Sequence, residues 1–354
     1  YGGIASSKLN GGEGNDKIVG YDGFNILIGG SGLDSIYGGA GNDTVFADQD
    51  ADLVVAGAGD DYVYGWTGSD TIFGGLGNDH LSGDQDNDTI VGDAGEDTAK
   101  GGDGNDDVYG GDGNDYLYGG DSDVNHVDGD DKVYGDAGQD TMSGGLGNDC
   151  MWGGTQDDSM HGDAGNDTMY GDADTDRMWG DSGDDFLYGG TGTDSLYGGT
   201  GNDCLHGEAG NDFLQGDDGN DFVYGETGND TLLGGAGSDT MRGGQDADFL
   251  TGGEGIDYFV FTNTLPVVTS ATQLNFGNDT ILDFQDGVDQ IALEGGVSGI
   301  FQFWSDISRF IGTDSFGNAV ITFSDQASIT LVGVNAGALD INDFLIGTTP
   351  SAIA

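Results

Sequence analysis

The chain repeats itself every nine residues, and that period leaves few folds open to it. Gly11-Gly12-Glu13-Gly14-Asn15-Asp16-Lys17-Ile18-Val19 sets the frame, with positions numbered one to nine. Twelve units run from Gly11 to Tyr118, and fifteen more run from His126 to Val260. Between them lies a short irregular insertion at 119–125, which reads as a unit short by two residues. Residues 2–10 read as a degenerate first unit. Tandem repetition at a short fixed period marks a solenoid, in which each unit is stabilised only by its neighbours.

Each position carries a physical role. Glycines at positions one, two and four permit positive φ and a tight turn. Positions seven to nine are rich in Thr, Val, Ile, Tyr and Phe, which predicts a three-residue strand. Position eight is apolar in every framed unit and holds all six Met residues, so it points inward. Positions seven and nine then point outward. Two consecutive units make one coil, with a strand on each side. The expected fold is all-β, a parallel β-solenoid of roughly 13 turns and about 65 Å in length.

Position six is Asp in all framed units but one, where Asn25 stands. Stacked coils would place these carboxylates in two columns about 5 Å apart, where they repel strongly. The formal charge of −58, with only 7 Lys and Arg, compounds the problem. That balance excludes nucleic acid as a partner, since nucleic acid needs a basic face. It equally disfavours an anionic membrane surface, and no apolar run is long enough for a transmembrane helix. The matching partner is a hard cation. Calcium accepts six to eight oxygen ligands in flexible geometry, from carboxylates and carbonyls alike. About one divalent ion per unit would bring roughly +50 of charge. Magnesium demands stricter octahedra, and zinc wants Cys or His, which are scarce here.

The repeat GGxGxDxUx resembles the RTX (repeats-in-toxin) calcium-binding nonapeptide. Gly198-Gly199-Thr200-Gly201-Asn202-Asp203-Cys204-Leu205-His206 is nearly ideal. The resemblance covers most of the chain, from Gly11 to Val260 with one interruption. It implies a parallel β-roll with calcium between turns. It assigns the metal to loop carbonyls and to the position-six aspartates. These are Asp16, Asp34, Asp43, Asp52, Asp61, Asp70, Asp79, Asp88, Asp97, Asp106, Asp115 and Asp131, followed by Asp140, Asp149, Asp158, Asp167, Asp176, Asp185, Asp194, Asp203, Asp212, Asp221, Asp230, Asp239, Asp248 and Asp257. Asp50, Asp86, Gln156, Asp174 and Asp246 replace the position-four glycine. Weaker sites are therefore expected at Asp52, Asp88, Asp158, Asp176 and Asp248, and at Asn25.

The roll is expected to span 1–260, with a small β-rich cap over 261–354. Runs such as Ala319-Val320-Ile321-Thr322-Phe323 alternate as half-buried strands do. A solenoid needs such a cap, because its last turn exposes a sheet edge. Asp279-Thr280-Ile281-Leu282-Asp283-Phe284 and Gly287-Val288-Asp289-Gln290-Ile291 resemble the region after the roll in serralysin-type secreted proteins. Asp343-Phe344-Leu345-Ile346 resembles an uncleaved type I secretion signal. It reads equally as a final strand.

No catalytic constellation is visible. His80, His126, His161 and His206 form no HExxH motif, and no GxSxG elbow occurs. The expectation is a protein that is not an enzyme. Cys150 and Cys204 both occupy position seven, three turns apart and beyond disulfide reach, so two unpaired thiols are expected. Counting 119–134 as one shortened turn puts Tyr118, Tyr134, Trp152, Tyr170, Tyr188 and Tyr224 on one outer face. That face is either a stabilising aromatic ladder or a surface for self-association.

The function expected is that of a secreted calcium-binding structural or cell-surface protein. Such a rod would form an extracellular layer, sheath or filament, or act in adhesion, and calcium would drive its folding after export. The alternative is a secretion and folding module of a larger RTX enzyme or toxin, since Tyr1-Gly2-Gly3 already reads as repeat material.

Overall fold

A computed structural model describes residues 6–120, 128–262, 276–285, 287–294, 307–324 and 327–346. It divides into two compact units, Tyr1–Ser182 and Gly183–Ala354.

The first unit is a parallel β-solenoid. Its strands run from Lys8–Glu13 to Arg177–Ser182 and alternate between two parallel sheets. Each strand pairs with the next but one, a full coil later, as in Lys17↔Ser35, Ile18↔Ile36 and Val19↔Tyr37. Leu9 pairs with Leu27, so Lys8-Leu9-Asn10 completes the degenerate first unit. Position eight forms the core: Leu27, Ile36, Val45, Met142, Met151, Met160, Met169 and Met178 are all fully buried. The unbranched Met side chains adapt to this narrow, repetitive interior.

The strands are longer than the expected three residues. Ile26–Ser31 covers positions seven to nine and the next unit's positions one to three. Its pairing with Lys8–Glu13 skips Gly11 and Gly29, where the chain bends, and resumes at Gly12↔Gly30. A glycine pair thus turns the corner without ending the ladder.

The glycines also divide their labour differently. Positive φ occurs at positions two and four, as in Gly12 (105°) and Gly14 (94°). Position one is glycine for space. A methyl on Gly11 would stand 2.6 Å from Asp16 Oδ2 and 2.7 Å from the Gly29 carbonyl oxygen of the next coil.

The expected frame needs one correction around 119–125. Asp106 donates its N–H to Asp131 across an offset of 25, where Asp88 reaches Asp106 across 18. Tyr109 pairs with Tyr134 at the same longer offset. Gly119 stands to Asp131 as Gly110 stands to Asp115 and Gly135 to Asp140. The unit therefore begins at Gly119-Gly120 and continues at Asp128-Gly129-Asp130-Asp131. The added residues, 121–127, fall between positions two and three and lie outside the described residues. An insertion inside a turn leaves the alternation of sheets intact, whereas a shortened unit would not. Consequently Tyr118 pairs with Ser143 in the sheet opposite Tyr134. The single aromatic face containing both is not formed.

The second unit repeats the same coil from Phe186–Gly192 to Phe249–Glu254. Beyond the repeats both ladders continue. Tyr258–Thr262 pairs in parallel with Gln290–Glu294, and Phe249 pairs with Thr280 in Gly277–Ile281. Ala319–Ser324 forms antiparallel pairs with Ile311–Thr313 and Ala327–Leu331. Phe261 and Phe276, with ring centroids 5.2 Å apart, widen the core there. Phe344–Ile346 is a strand beside Ile291–Leu293, and the residues after 346 lie outside the described set. Cys150 and Cys204 are both free thiols.

Candidate metal centre

The position-six aspartates line up in columns. In the first unit Asp16, Asp34, Asp52, Asp70, Asp88, Asp106, Asp131, Asp149 and Asp167 form one. Asn25, Asp43, Asp61, Asp79, Asp97, Asp115, Asp140, Asp158 and Asp176 form the other. The second unit holds Asp185, Asp203, Asp221, Asp239 and Asp257, and separately Asp194, Asp212, Asp230 and Asp248. In every step the backbone N–H of one residue donates to Oδ1 of the aspartate one coil later, for example Asp52 to Asp70 at 2.7 Å. The loop amide would otherwise be buried without an acceptor, which is expensive.

The other oxygen has no such provision. From Asp34 to Asp158, and from Asp203 to Asp257, Oδ2 is buried and meets no donor. Burial is the first cause of a raised carboxyl pKa in these columns, opposed by the one backbone N–H. Asp61 is pushed up to about 7, Asp88 to about 8 and Asp131 to about 9. Repulsion between neighbouring carboxylates adds to it, as Asp70 and Asp106 do at Asp88. A buried anion this poorly paired calls for a counter-charge.

Asn25 shows what surrounds that oxygen. Its Nδ2 lies beside Gly20, where an aspartate's Oδ2 would lie. It donates to the Gly23 carbonyl at 2.9 Å and to Asp43 Oδ1 at 2.9 Å. The neighbours of this position are therefore acceptors. An amide satisfies them; a carboxylate oxygen among them repels them. A cation satisfies carboxylate and carbonyls together.

The donor set is all oxygen and fits calcium. Among the described residues no three His, Cys, Asp or Glu side chains converge on a point. Any ion here would rest on one or two carboxylates per rung, with turn carbonyls such as those at positions four and one completing the cage. The units lacking the position-four glycine keep the same turn, since Asp50, Asp86, Gln156, Asp174 and Asp246 adopt φ between 70° and 81°. Oδ2 of Asp52, Asp88, Asp158 and Asp248 stays buried and without a donor.

Two members of the columns were missed in the sequence. Asp279 accepts the Asp248 N–H at 3.1 Å, and its Oδ2 is likewise buried with no donor. Asp289 accepts the Asp257 N–H at 3.2 Å, but its Oδ2 takes the Gln285 N–H at 2.7 Å. Asp279 thus extends the pattern, and Asp289 closes its column with both oxygens used. The signal was present: Gly277-Asn278-Asp279-Thr280-Ile281 and Gly287-Val288-Asp289-Gln290-Ile291 are positions four to eight of the repeat, displaced by intervening residues. A second, exposed ladder at position five was also missed. There Asn202 Oδ1 accepts the Asn220 N–H at 3.1 Å.

A family model described as the RTX calcium-binding nonapeptide repeat (4 copies) matches the chain in overlapping stretches that together cover 1–117 and 128–259. No curated protein matches it. Among solved structures, the extracellular lipase LipA from Serratia marcescens is similar at 17% identity, over 75% of this chain and 45% of the lipase, with a TM-score of 0.28. The chain thus spans less than half the length of that lipase. The AlgE6R3 subunit of the Azotobacter vinelandii mannuronan C5-epimerase is similar at 29% identity, over 44% of this chain and 84% of that one, with a TM-score of 0.20.

Proposed function

This chain belongs to the RTX calcium-binding nonapeptide repeat family, and from that premise we propose that it is a secreted structural protein whose folding is switched on by calcium. Its repeats bind calcium, as the family's repeats do. The ligands on this reading are the position-six aspartates with turn carbonyls, at about one ion per nonapeptide, and Asp279 joins them. The observation that carries the proposal is the long series of buried Oδ2 atoms that meet no donor.

The physical logic joins export to folding. Where free calcium is scarce, the columns cannot assemble without stacking bare carboxylates. Outside the cell, millimolar calcium suffices for weak extracellular sites, and metal binding then supplies folding free energy. Passage through a type I exporter suits a chain kept unfolded until it emerges. The structural rather than catalytic role is our reading, and the aromatic rings stacked along an outer face of the first unit support it. Tyr134, Trp152 and Tyr170 in the first unit, and Tyr188 and Tyr224 in the second, are the residues proposed for self-association.

Circular dichroism of the full chain during a calcium titration tests the proposal. The expected result is an unfolded spectrum in EGTA and a cooperative gain of β-structure with calcium. A fully folded chain in EGTA at neutral pH would overturn it.

A further inference from the structure

The outward rungs of one sheet in the first unit are interrupted at one place. Phe46, Tyr64, Ser82, Lys100 and Tyr118 occupy consecutive rungs. Phe46 and Tyr64 stack with centroids 5.4 Å apart and planes within 9°. One face of Tyr64 is therefore covered by Phe46, and the other is turned along the ladder. Ser82 and Lys100 then break the aromatic series before Tyr118. Three rung spacings separate the two tyrosines, about 14 Å at the usual strand spacing. The break is a cavity of about 240 Å³ lined by Tyr64, Ser82, Lys100 and Tyr118 among others. Beside it lies a second cavity of about 340 Å³, which shares Tyr64 and Lys100 and adds Trp66, Asp84 and Gln85.

Trp66 is the anomaly that marks this place. It stands at position two with φ of 80° and is 52% exposed. With Gly120 counted for its unit, every other unit except that of Tyr21 has Gly, Asp or Glu there. A bulky residue in the left-handed region is strained and calls for a functional reason. Packing does not supply one, because half of its surface faces solvent.

We infer that this cleft binds a short neutral oligosaccharide. Sugar rings present apolar C–H faces together with hydroxyls that both donate and accept. The cleft offers matching groups: aromatic faces at Tyr64, Trp66 and Tyr118, donors at Lys100 and Gln85, and acceptors at Asp84 and Ser82. Local charge selects the neutral class. Asp84 and Lys100 line the same cavity, so an anionic ligand meets the one and a cationic ligand the other.

Isothermal titration of the full, calcium-loaded chain with cellohexaose, laminarihexaose and maltohexaose tests this, with oligogalacturonate as the charged control. At least one neutral hexaose is expected to bind saturably and to change Trp fluorescence. Trp66→Gly and Tyr64→Ala should each weaken it at least tenfold, while Trp152→Ala leaves the affinity unchanged. Trp66→Gly restores the commonest residue at its position, so the variant folds, and its Tm should rise. No binding of any neutral hexaose, binding of oligogalacturonate alone, or equal affinity in the Trp66→Gly and Tyr64→Ala variants would refute the inference.

Discussion

Asn25 donates from Nδ2 to Asp43 Oδ1 at 2.9 Å, the one rung in its column where the inner atom of position six is satisfied by protein alone. It is a natural experiment on its neighbours. Converting Asp61 to Asn should reproduce it, with the new amide donating to the Gly59 carbonyl and to Asp79. The variant should bind about one calcium fewer and be more stable in EGTA by about 1–3 kcal/mol, the penalty of an unpaired buried polar group. Metal analysis and denaturant melts in EGTA would check both. An unchanged calcium content would remove Asp61 from the ligand set.

The pH response of the calcium-free chain should run opposite to ordinary acid denaturation. Folding raises the carboxyl pKa from 3.8 to about 6 at Asp203, about 7 at Asp61 and about 8 at Asp88, chiefly through burial. The folded state then binds more protons than the unfolded one, so stability falls as pH rises. It is fully present below about 3.8 and is lost as pH climbs through about 6 to 8. In EGTA the chain should gain β-structure on acidification from pH 8 to pH 4. With calcium present, protons and metal compete, and the apparent calcium affinity should drop over the same interval.

Asp279 and Asp289 should behave differently despite their similar settings. Asp279→Asn is expected to lower the calcium content by about one ion. Asp289→Asn should leave the content unchanged, because Gln285 already occupies the second oxygen. Equal losses from both would mean that the hydrogen bond to Gln285 yields to metal.

The aromatic ladder of the first unit should contribute to stability whether or not it assembles. Tyr109, Tyr134 and Trp152 stack at 4.5 Å spacings, with planes within 4°. Trp152→Ala removes two stacked contacts, each worth about 0.5–1.5 kcal/mol, and should leave calcium content unchanged. Replacing Tyr134, Trp152 and Tyr170 together by Ser should abolish any self-association seen by sedimentation. Persistence of assembly in the triple variant would move the interface elsewhere.

The sequence disclosed the coil because its period is strict: inward position eight and columnar position six both follow from counting by nine. It hid what depends on three-dimensional neighbours. Nothing in a glycine's identity tells that Gly11 yields room to Asp16 while Gly12 supplies a left-handed turn. The insertion at 121–127 was misplaced because counting by nine back from Asp131 opens the unit at His126, whereas the pairing of Tyr109 with Tyr134 and the setting of Gly119 against Asp131 open it at Gly119. Asp279 escaped because a stretch without the repeat separates it from Asp257, while the structure aligns it with Asp248.

The position-six amide-to-carboxylate bonds all point the same way along the chain. At that position a coil gives its N–H to the coil after it, whereas position five gives its N–H to the coil before, as Asn202 does to Asp184, and Asp289 ends one series by bonding to its own local turn. The Asp185–Asp257 column is therefore a directional zipper with a fastened end at Asp289. Each position-six amide waits for the coil after it, so protection of these amides should build from the fastened end. Amide exchange should be slowest near Asp257 and quicken toward Asp203.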